Sequence, residues 1–168
     1  ATGLVLVSGA GNFQQLLKPI QLRIPEGIPC VIAAGGVDRN MKIPNFVSLG
    51  PVEWAGVKFY GDYPMPKGLI KPDVCGFPTG DYALLSSQNE GYMNPNVRIR
   101  GNSFSGPLVV GTVAFMLSAI PDLLAWRVKE IIEFTAVDLG PKGKDNATGY
   151  GLLNALAAVK TALTEKGK

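Results

Sequence analysis

The residue of this chain best placed to do chemistry is Ser103, in the stretch IRGNSFSGPLVVGTVAFMLSAIPDL at residues 99–123. It stands directly before a long apolar segment. The pattern predicts that Ser103 begins a buried helix with Pro107 in the first turn, where a missing N–H does little harm. Two roles are then open to the serine. Its hydroxyl can cap the helix by accepting a backbone N–H, or it can act as a nucleophile beside N–H groups and a dipole that stabilise an oxyanion.

A nucleophilic serine needs a base, and the chain offers no obvious one. It contains no histidine, which removes the commonest general base and a common metal ligand. The G-x-S-x-G elbow requires glycine where this chain has Ser105, and no serine lies in an S-x-x-K motif. The segment GAGNFQ at 9–14 begins like a dinucleotide-binding loop, but Gln14 replaces its last glycine. We therefore expect no nucleotide site.

The N-terminal part of the chain predicts parallel strands. The runs LVLV at 4–7 and CVIAAGGV at 30–37 are continuously apolar, as in strands that are covered on both faces. The connector between them contains three prolines and is predicted to be an irregular loop or one helical turn. Residues 38–98 are dense in Gly, Pro and Asn, which indicates short strands and surface loops.

The C-terminal part predicts three helices, at about 103–119, 122–135 and 151–164. The first is apolar on nearly every side and is predicted to be buried. In the second, a buried stripe and a solvent-facing side are expected, formed by Val128, Ile131, Ile132 and Thr135 and by Arg127, Lys129, Glu130 and Glu133, respectively. Parallel strands followed by helices predict an α/β fold.

Composition limits the classes of protein to which the chain can belong. Its 168 residues are 46% hydrophobic and 17% charged, which suits one domain with a substantial core and excludes disorder. The net charge of +3 comes from scattered Lys and Arg, so we expect no nucleic-acid partner. Ser118, Pro121 and Asp122 interrupt the longest apolar run, so we expect no membrane span. The N-terminus lacks the pattern of a signal peptide and enters a strand at once, which favours a piece of a larger domain.

Cysteines and one short motif add little. Cys30 and Cys75 are too few for a disulfide framework and lack metal-binding spacing. We expect buried, reduced thiols, with a single bridge between them as the alternative. The triplet NAT at 146–148 fits a glycosylation acceptor, but so short a pattern occurs often by chance, and we interpret it as a turn.

Six segments of the chain, in order, resemble the subtilisin-like serine proteases. The central one, GNSFSGPLVVG, is similar to that family's nucleophile segment G-T-S-M-A-x-P-H-V-A-G. VLVSGAGN resembles a strand ending in A-A-G-N, IPCVIAAGGVDRN resembles P-x-V-I-A-V-G-A-V-D, FVSLGP resembles F-S-S-x-G-P, and GLIKPDV resembles G-x-x-K-P-D-V. TAVDLGPKGKDNATGYGLLNALAAV resembles T-A-x-D-x-G…G-x-G-x-x-N-A-x-x-A-V. The resemblance covers about residues 5–160 and implies an α/β fold: the C-terminal half of a subtilisin-like domain, with a mostly parallel sheet and buried helices.

The resemblance implies roles for two residues. Ser103 stands where the family has its nucleophile, and its backbone N–H is one donor of the oxyanion hole. Asn12 stands where the family has the side-chain amide that is the second donor; without the resemblance it is a turn residue after a strand. Loss of such a donor costs about 100- to 1000-fold in rate in subtilisin itself.

The resemblance also implies a substrate pocket and a metal site. The pocket for the residue before the scissile bond is lined by Ser8, Gly9, Ala10, Gly11 and the loop Arg23–Gly27, with a cis bond before Pro25. The chemistry requires no cofactor. A weak structural calcium site is implied on backbone carbonyls near Glu26, Ile28 and Val31.

Four departures from the family pattern lie close to Ser103 in sequence or near the site. Asn102 replaces Thr and can still donate a hydrogen bond, whereas Phe104 replaces Met and is bulkier on the leaving-group side. Leu108 replaces a histidine that is not the triad histidine, and CGFPTGD at 75–81 departs from A-P-G. None of them removes a catalytic group.

The triad of this family runs Asp, His, Ser along the chain, and its first two members precede the strand with which this sequence begins. Residues 1–168 therefore correspond to the C-terminal part of a single catalytic domain, expected to be inactive alone. The implied protein is a serine endopeptidase, secreted or on the cell surface. Its expected partners are the N-terminal half of the domain, which supplies Asp and His, and a polypeptide substrate. The alternatives are a pseudoprotease or interaction module on the same fold, and an unrelated α/β domain with Ser103 as a helix cap.

Overall fold

The computed structural model of the chain describes residues 3–14, 22, 24–54, 68–80, 85–86, 91–92 and 99–166. Its centre is a parallel sheet in the order β1-β2-β3, formed by Val7–Gly9, Ile32–Gly36 and Val74–Gly76. In the sheet, Val7 pairs with Ile32 and Ala34 pairs with Val74. Every residue of β2 is buried, as expected for a central parallel strand. The α/β prediction is confirmed.

Strand β1 lies at the edge of this sheet. It begins at Val7, later than the predicted run 4–7, although the pairing continues to Leu6, whose carbonyl accepts the N–H of Ile32. Leu4 and Leu6 are exposed, so this run is not covered on both faces as its composition predicted. β2 pairs with one side of β1, and no described strand pairs with the other.

In the described part of the chain, four further strands of two residues each lie in the loop-rich segment or directly after it. β4 (Thr79–Gly80) pairs antiparallel with β7 (Ile99–Arg100), and β5 (Leu85–Ser86) pairs antiparallel with β6 (Gly91–Tyr92). The prediction of short strands is confirmed where this segment is described. Residues 15–21 and 23 of the connector between β1 and β2 lie outside the described residues, and its described end at 24–30 forms turns.

Three helices follow, as predicted. A 3-10 turn at Asn102–Phe104 leads into α1 (Ser105–Ala119), and α2 (Ala125–Thr135) and α3 (Ala155–Leu163) complete the chain. α2 begins later than predicted because Leu124 is extended. α3 begins at Ala155 because the side chain of Asn154 accepts the N–H of Ala157 and caps the helix there.

The helices cover one face of the sheet. Ile32, Ala34 and Val74 contribute to the main core, and the helices contribute a set of fully or nearly fully buried side chains: Val109, Val113, Met116, Val128, Ile131, Ile132, Ala158 and Ala162. The predicted stripe of α2 is thus confirmed at Val128, Ile131 and Ile132. A smaller cluster contains Ala10, Leu22, Ala33 and Val52. Burying each such aliphatic side chain stabilises the fold by roughly 1.5–3 kcal/mol.

Helix α1 departs from its prediction, because only one of its faces is buried. Leu108, Val110 and Phe115 are 37%, 51% and 68% exposed. By length and composition alone, the segment Asn102–Ala119 also meets the requirement for a membrane-spanning helix, although no membrane span was expected from the sequence. A third of that segment is buried. Like a core helix, α1 packs against α3 and against all three strands of the parallel sheet.

The remaining predictions concern cysteines and one turn. Both cysteines are free, so the alternative of a bridge is wrong; Cys75 is buried as expected, whereas Cys30 is exposed. Burial raises the pKa of the Cys75 thiol to about 12 because a thiolate is poorly solvated there. Residues 146–148 form the predicted turn, in which the Thr148 hydroxyl donates to the carboxylate of Asp145 at 2.9 Å.

Candidate active site

Ser103 lies in the 3-10 turn that precedes α1, and it is exposed. The N-cap position of α1 is Phe104, and that of the 3-10 turn is Gly101. No side-chain hydrogen bond caps either element. The interpretation of Ser103 as a helix cap is therefore wrong. The turn instead presents the hydroxyl at the surface, next to the loop that follows β1.

Asn12 belongs to that loop and faces the turn. The backbone N–H of Asn102 donates to Asn12 Oδ1 at 2.8 Å, which orients the carboxamide and leaves its Nδ2 as a donor at the surface. A methyl group built on Gly101 would lie 3.5 Å from Asn12 Nδ2 and 4.0 Å from the backbone N of Ser103. The two nitrogens implied as oxyanion donors therefore border the same small space. Gly101 has a φ of +148°, a conformation that side chains disfavour.

Asn102 makes a second link between the loop and the turn. Its Nδ2 donates to the carbonyl of Gly11 at 2.7 Å, and the residue is buried. Its Oδ1 has no hydrogen-bond partner among the described residues. Asn102 thus holds Gly11 with its side chain and Asn12 with its backbone. The sequence showed that an amide replaces threonine here, and the structure shows what the longer side chain reaches.

The residues implied for the substrate pocket lie at the end of β1. The Ser8 hydroxyl donates to the carboxylate of Glu26 at 3.5 Å, which brings this strand end to the loop that begins at Ile24. The Ile24–Pro25 bond is cis, as the resemblance implied; Arg23 lies outside the described residues. A methyl group on Gly9 would lie 2.8 Å from the Asn102 carbonyl, so glycine permits the close approach.

Ala10 differs from the other implied pocket residues. It is fully buried, and its N–H donates to the carbonyl of Ala34 at 2.8 Å. It therefore supports the sheet and does not line an open surface. Gly11, with a φ of +97°, turns the chain so that Asn12 is exposed.

A charged cluster, not predicted from the sequence, lies at the amino ends of β2 and β3. Its members are Lys71, Asp73, Lys129, Glu133 and Lys144. Asp73 precedes β3 and is fully buried. Its Oδ2 accepts the backbone N–H of Ala33 at 2.8 Å and the Lys71 ammonium at 2.5 Å. Its Oδ1 pairs with Lys129 at 2.7 Å and with Lys144 at 2.8 Å.

The charged cluster shifts the pKa of its members. Burial by itself would raise the pKa of Asp73, but the ammonium groups around it and the N–H of Ala33 hold that pKa well below its usual range. Burial lowers the pKa of Lys71 to about 8, against the attraction of Asp73. Burial also opposes the charge of Lys144, but Asp73 and Glu133 raise its pKa.

The cluster corrects the prediction for α2, where Lys129 and Glu133 were expected to face solvent. Their side chains are only 16% and 14% exposed because they are paired with each other and with their neighbours in the cluster. The signal in the sequence was the run KPDVCG at 71–76, in which two charges adjoin an apolar strand. Such charges are buried only when they are paired.

The implied calcium site does not fit the residues that the structure places there. The carbonyl of Val31 accepts the Lys71 ammonium at 2.7 Å and lies 3.5 Å from the Lys129 ammonium. The carbonyl of Ile28 accepts the N–H of Val31 at 3.1 Å. In the described part of the chain, no group of three or more His, Cys, Asp or Glu residues could hold a metal ion.

Comparison with known proteins agrees with this fold. The model of the Subtilase family (Peptidase S8) matches residues 1–151. Subtilisin DY of Bacillus licheniformis is 29% identical over 163 residues, which are 95% of this chain and 48% of that protein. A Deinococcus radiodurans protein named "Probable subtilase-type serine protease" is 32% identical over 155 residues, 89% of this chain and 19% of that protein. The "Extracellular serine protease" of Serratia marcescens is 26% identical over 170 residues, 94% of this chain and 16% of that protein.

The chain thus spans about half the length of subtilisin DY and less than a fifth of the other two relatives. The family model nevertheless matches most of the chain. The chain therefore belongs to the subtilase family.

Proposed function

We propose that residues 1–168 are the C-terminal part of a subtilase catalytic domain, and that this domain is a serine endopeptidase acting through an acyl-enzyme on Ser103. The observation that carries the proposal is the placement of two N–H donors around Gly101. Asn12 Nδ2 and the Ser103 backbone N both lie near this glycine, beside an exposed serine that caps no helix. Family membership supports the same assignment.

In the proposed mechanism, the Ser103 hydroxyl attacks the carbonyl carbon of the scissile peptide bond and loses its proton to a histidine. The tetrahedral oxyanion accepts hydrogen bonds from Asn12 Nδ2 and the Ser103 N–H. Collapse of this intermediate expels the amine, which takes the proton from the histidine, and leaves an ester on Ser103. Water then hydrolyses the ester by the same steps. The donors need no reorganisation, because the Asn102 N–H already orients Asn12.

The histidine and its aspartate are proposed to come from the preceding half of the same domain. This chain has no histidine, and a serine without a base is a weak nucleophile, so the chain alone is expected to be inactive. Two features support such a partner. β1 has no described strand on its outer side, and α1 exposes Leu108, Val110 and Phe115. An unpaired strand edge beside an exposed apolar helix face is typical of a surface that another part of a protein covers.

We further propose that the substrate is a polypeptide and that the protein acts outside the cell or at its surface. A relative named as an extracellular serine protease supports this location. The reaction requires no cofactor, since the oxyanion is stabilised by N–H donors of the chain itself.

Fluorophosphonate labelling of Ser103, followed by intact mass, tests the proposal. The chain is labelled alone and with the preceding half of its parent restored, and Ser103→Ala serves as the control. We expect labelling only in the restored form. A folded, restored protein that is not labelled would contradict the protease proposal and leave an interaction module on a subtilase fold.

A further inference from the structure

The charged cluster contacts the carbonyl of Val31, one of the three backbone carbonyls near which the family resemblance implies calcium. We propose that the ammonium group of Lys71 takes the position of that ion, so that this chain carries a built-in cation and binds no calcium on the loop 26–31. The inference rests on membership of the subtilase family and does not depend on the proposed protease activity.

The ligands of the Lys71 ammonium are those that a hard cation would use. Lys71 Nζ lies 2.7 Å from the carbonyl oxygen of Val31 and 2.5 Å from Asp73 Oδ2. Its side chain is completely buried, as is that of Asp73. Calcium in proteins is held by backbone carbonyl and carboxylate oxygens at about 2.3–2.6 Å. A calcium ion at Val31 would therefore have to displace the ammonium group from both oxygens.

The charge of the cluster also opposes calcium. The three ammonium groups of Lys71, Lys129 and Lys144 outnumber the two carboxylates of Asp73 and Glu133 by one. None of these side chains is more than 20% exposed, so their repulsion of a divalent cation is weakly screened. Deprotonation of Lys71 would bring the cluster only to neutrality. A calcium site, in contrast, gains affinity from an excess of carboxylates.

The Lys71 bridge performs the structural task expected of the ion. It joins Val31, at the end of the loop, to Asp73, directly before β3. The same loop contains Glu26, which contacts Ser8 at the implied substrate pocket. Lys71 therefore fixes the loop to the sheet, and the wall of the pocket needs no bound metal.

Terbium luminescence tests the inference without any assay of activity. Trp54 donates its indole N–H to the carbonyl of Gly27 at 3.1 Å, so Tb³⁺ bound to this loop would be excited by energy transfer from Trp54. The measurement uses the completed domain, that is, this chain with the preceding half of its parent restored. It carries Ser103→Ala, which prevents self-digestion. The signal from the loop is the part that Trp54→Phe removes, and this difference excludes terbium bound elsewhere.

Without a substitution at Lys71, we expect no saturable Trp54-dependent signal. Lys71→Glu, which removes the ammonium and adds a carboxylate, should gain one that calcium displaces. The matched control is Lys142→Glu, at an exposed lysine, which should gain none. A saturable Trp54-dependent signal with Lys71 intact would overturn the inference, even where Lys71→Glu fails to fold. A folded Lys71→Glu protein without the signal would also count against it.

Discussion

The strands of the parallel sheet carry different kinds of polar group at their two ends. We call the side with their carboxyl ends the carboxyl edge and the side with their amino ends the amino edge. At the carboxyl edge, Asn12 and the turn of Ser103 present neutral N–H donors at the surface. At the amino edge, the charged cluster is buried, and Asp73 is surrounded by three ammonium groups and a backbone N–H. Donors at the surface can stabilise a charge that appears during a reaction, whereas a charge that is already compensated can only hold the fold. Substitutions at the two edges should therefore affect different quantities.

The largest effect is expected from Asp73→Ala. It leaves three largely buried ammonium groups without the carboxylate that they surround, and removing one partner of a buried ion pair costs about 3–5 kcal/mol. Urea unfolding of the completed domain should show this loss, whereas kcat per folded molecule should change far less than in a variant of the oxyanion donors, because the cluster reaches the site only through the loop of Glu26. The control Asp122→Ala, at an exposed carboxylate, should stay within about 0.5 kcal/mol. A stable Asp73→Ala protein would contradict the structural role of the cluster.

Asn12→Ala is expected to lower activity far more than stability. It should lower kcat of the completed domain by about 100- to 1000-fold, the loss known for the corresponding donor in subtilisin, with little change in KM because the oxyanion develops during the reaction and is absent from the bound substrate. The free energy of unfolding should fall by only about 1 kcal/mol, since Asn12 is exposed and the variant loses one hydrogen bond, from the Asn102 N–H. Peptide hydrolysis assays measure both constants, and Asn40→Ala, at another exposed asparagine, is the control. An equal loss of kcat in both variants would contradict the role of Asn12 in the oxyanion hole.

The pH dependence of stability tests the charged cluster at the amino edge. Burial lowers the pKa of Lys71 from 10.5 to about 8, so the unfolded chain holds this proton more tightly than the folded one. The contribution of Lys71 to the free energy of unfolding should therefore rise between pH 8 and 10.5, by at most about 1.4 kcal/mol per pH unit. The comparison of urea unfolding in the unsubstituted protein and in Lys71→Met isolates this contribution. An identical pH profile for both would show that Lys71 does not titrate in this range.

The turns at the carboxyl edge could be predicted from the sequence, whereas the charged cluster at the amino edge could not, for a physical reason. Ser103 and Asn12 lie in short local patterns of glycine and polar residues, and such patterns reflect backbone turns within a few positions. The roles of the two residues came from the family resemblance and stay predictions. The charged cluster joins Lys71 and Asp73 to Lys129 and Lys144, which are more than fifty positions away along the chain. Helical periodicity placed Lys129 on the solvent side, because it reports one helix and not a distant residue, Asp73, that pairs with it.

The exposed face of α1 was mispredicted for a related reason. Composition shows that Leu108, Val110 and Phe115 are apolar, but it does not show what covers them. In the structure, all three side chains are exposed. Composition thus predicted that this face is fit for burial, and only the three-dimensional arrangement shows that nothing in the described residues buries it.

The smallest effect is expected from Asn102→Ala, which tests how the carboxyl edge is held in place. The variant loses the Nδ2 bond to Gly11 but keeps the backbone N–H that holds Asn12. A slightly misplaced donor should lower kcat by about 10-fold and leave KM unchanged. Asn102→Thr, the residue of the family pattern, should recover part of the rate if its hydroxyl reaches the same carbonyl.

A double-mutant cycle makes the Asn102 test specific. Once Asn12→Ala has removed the donor, Asn102→Ala should cost little more, because a positioning residue has nothing left to position. Ser105→Ala is the matched control, since its hydroxyl is buried without a partner among the described residues and the family pattern has alanine there. Fully additive losses in the cycle would show that Asn102 acts on the fold and not through Asn12. Asn102 would then belong, in its effect, with the charged cluster and not with Ser103.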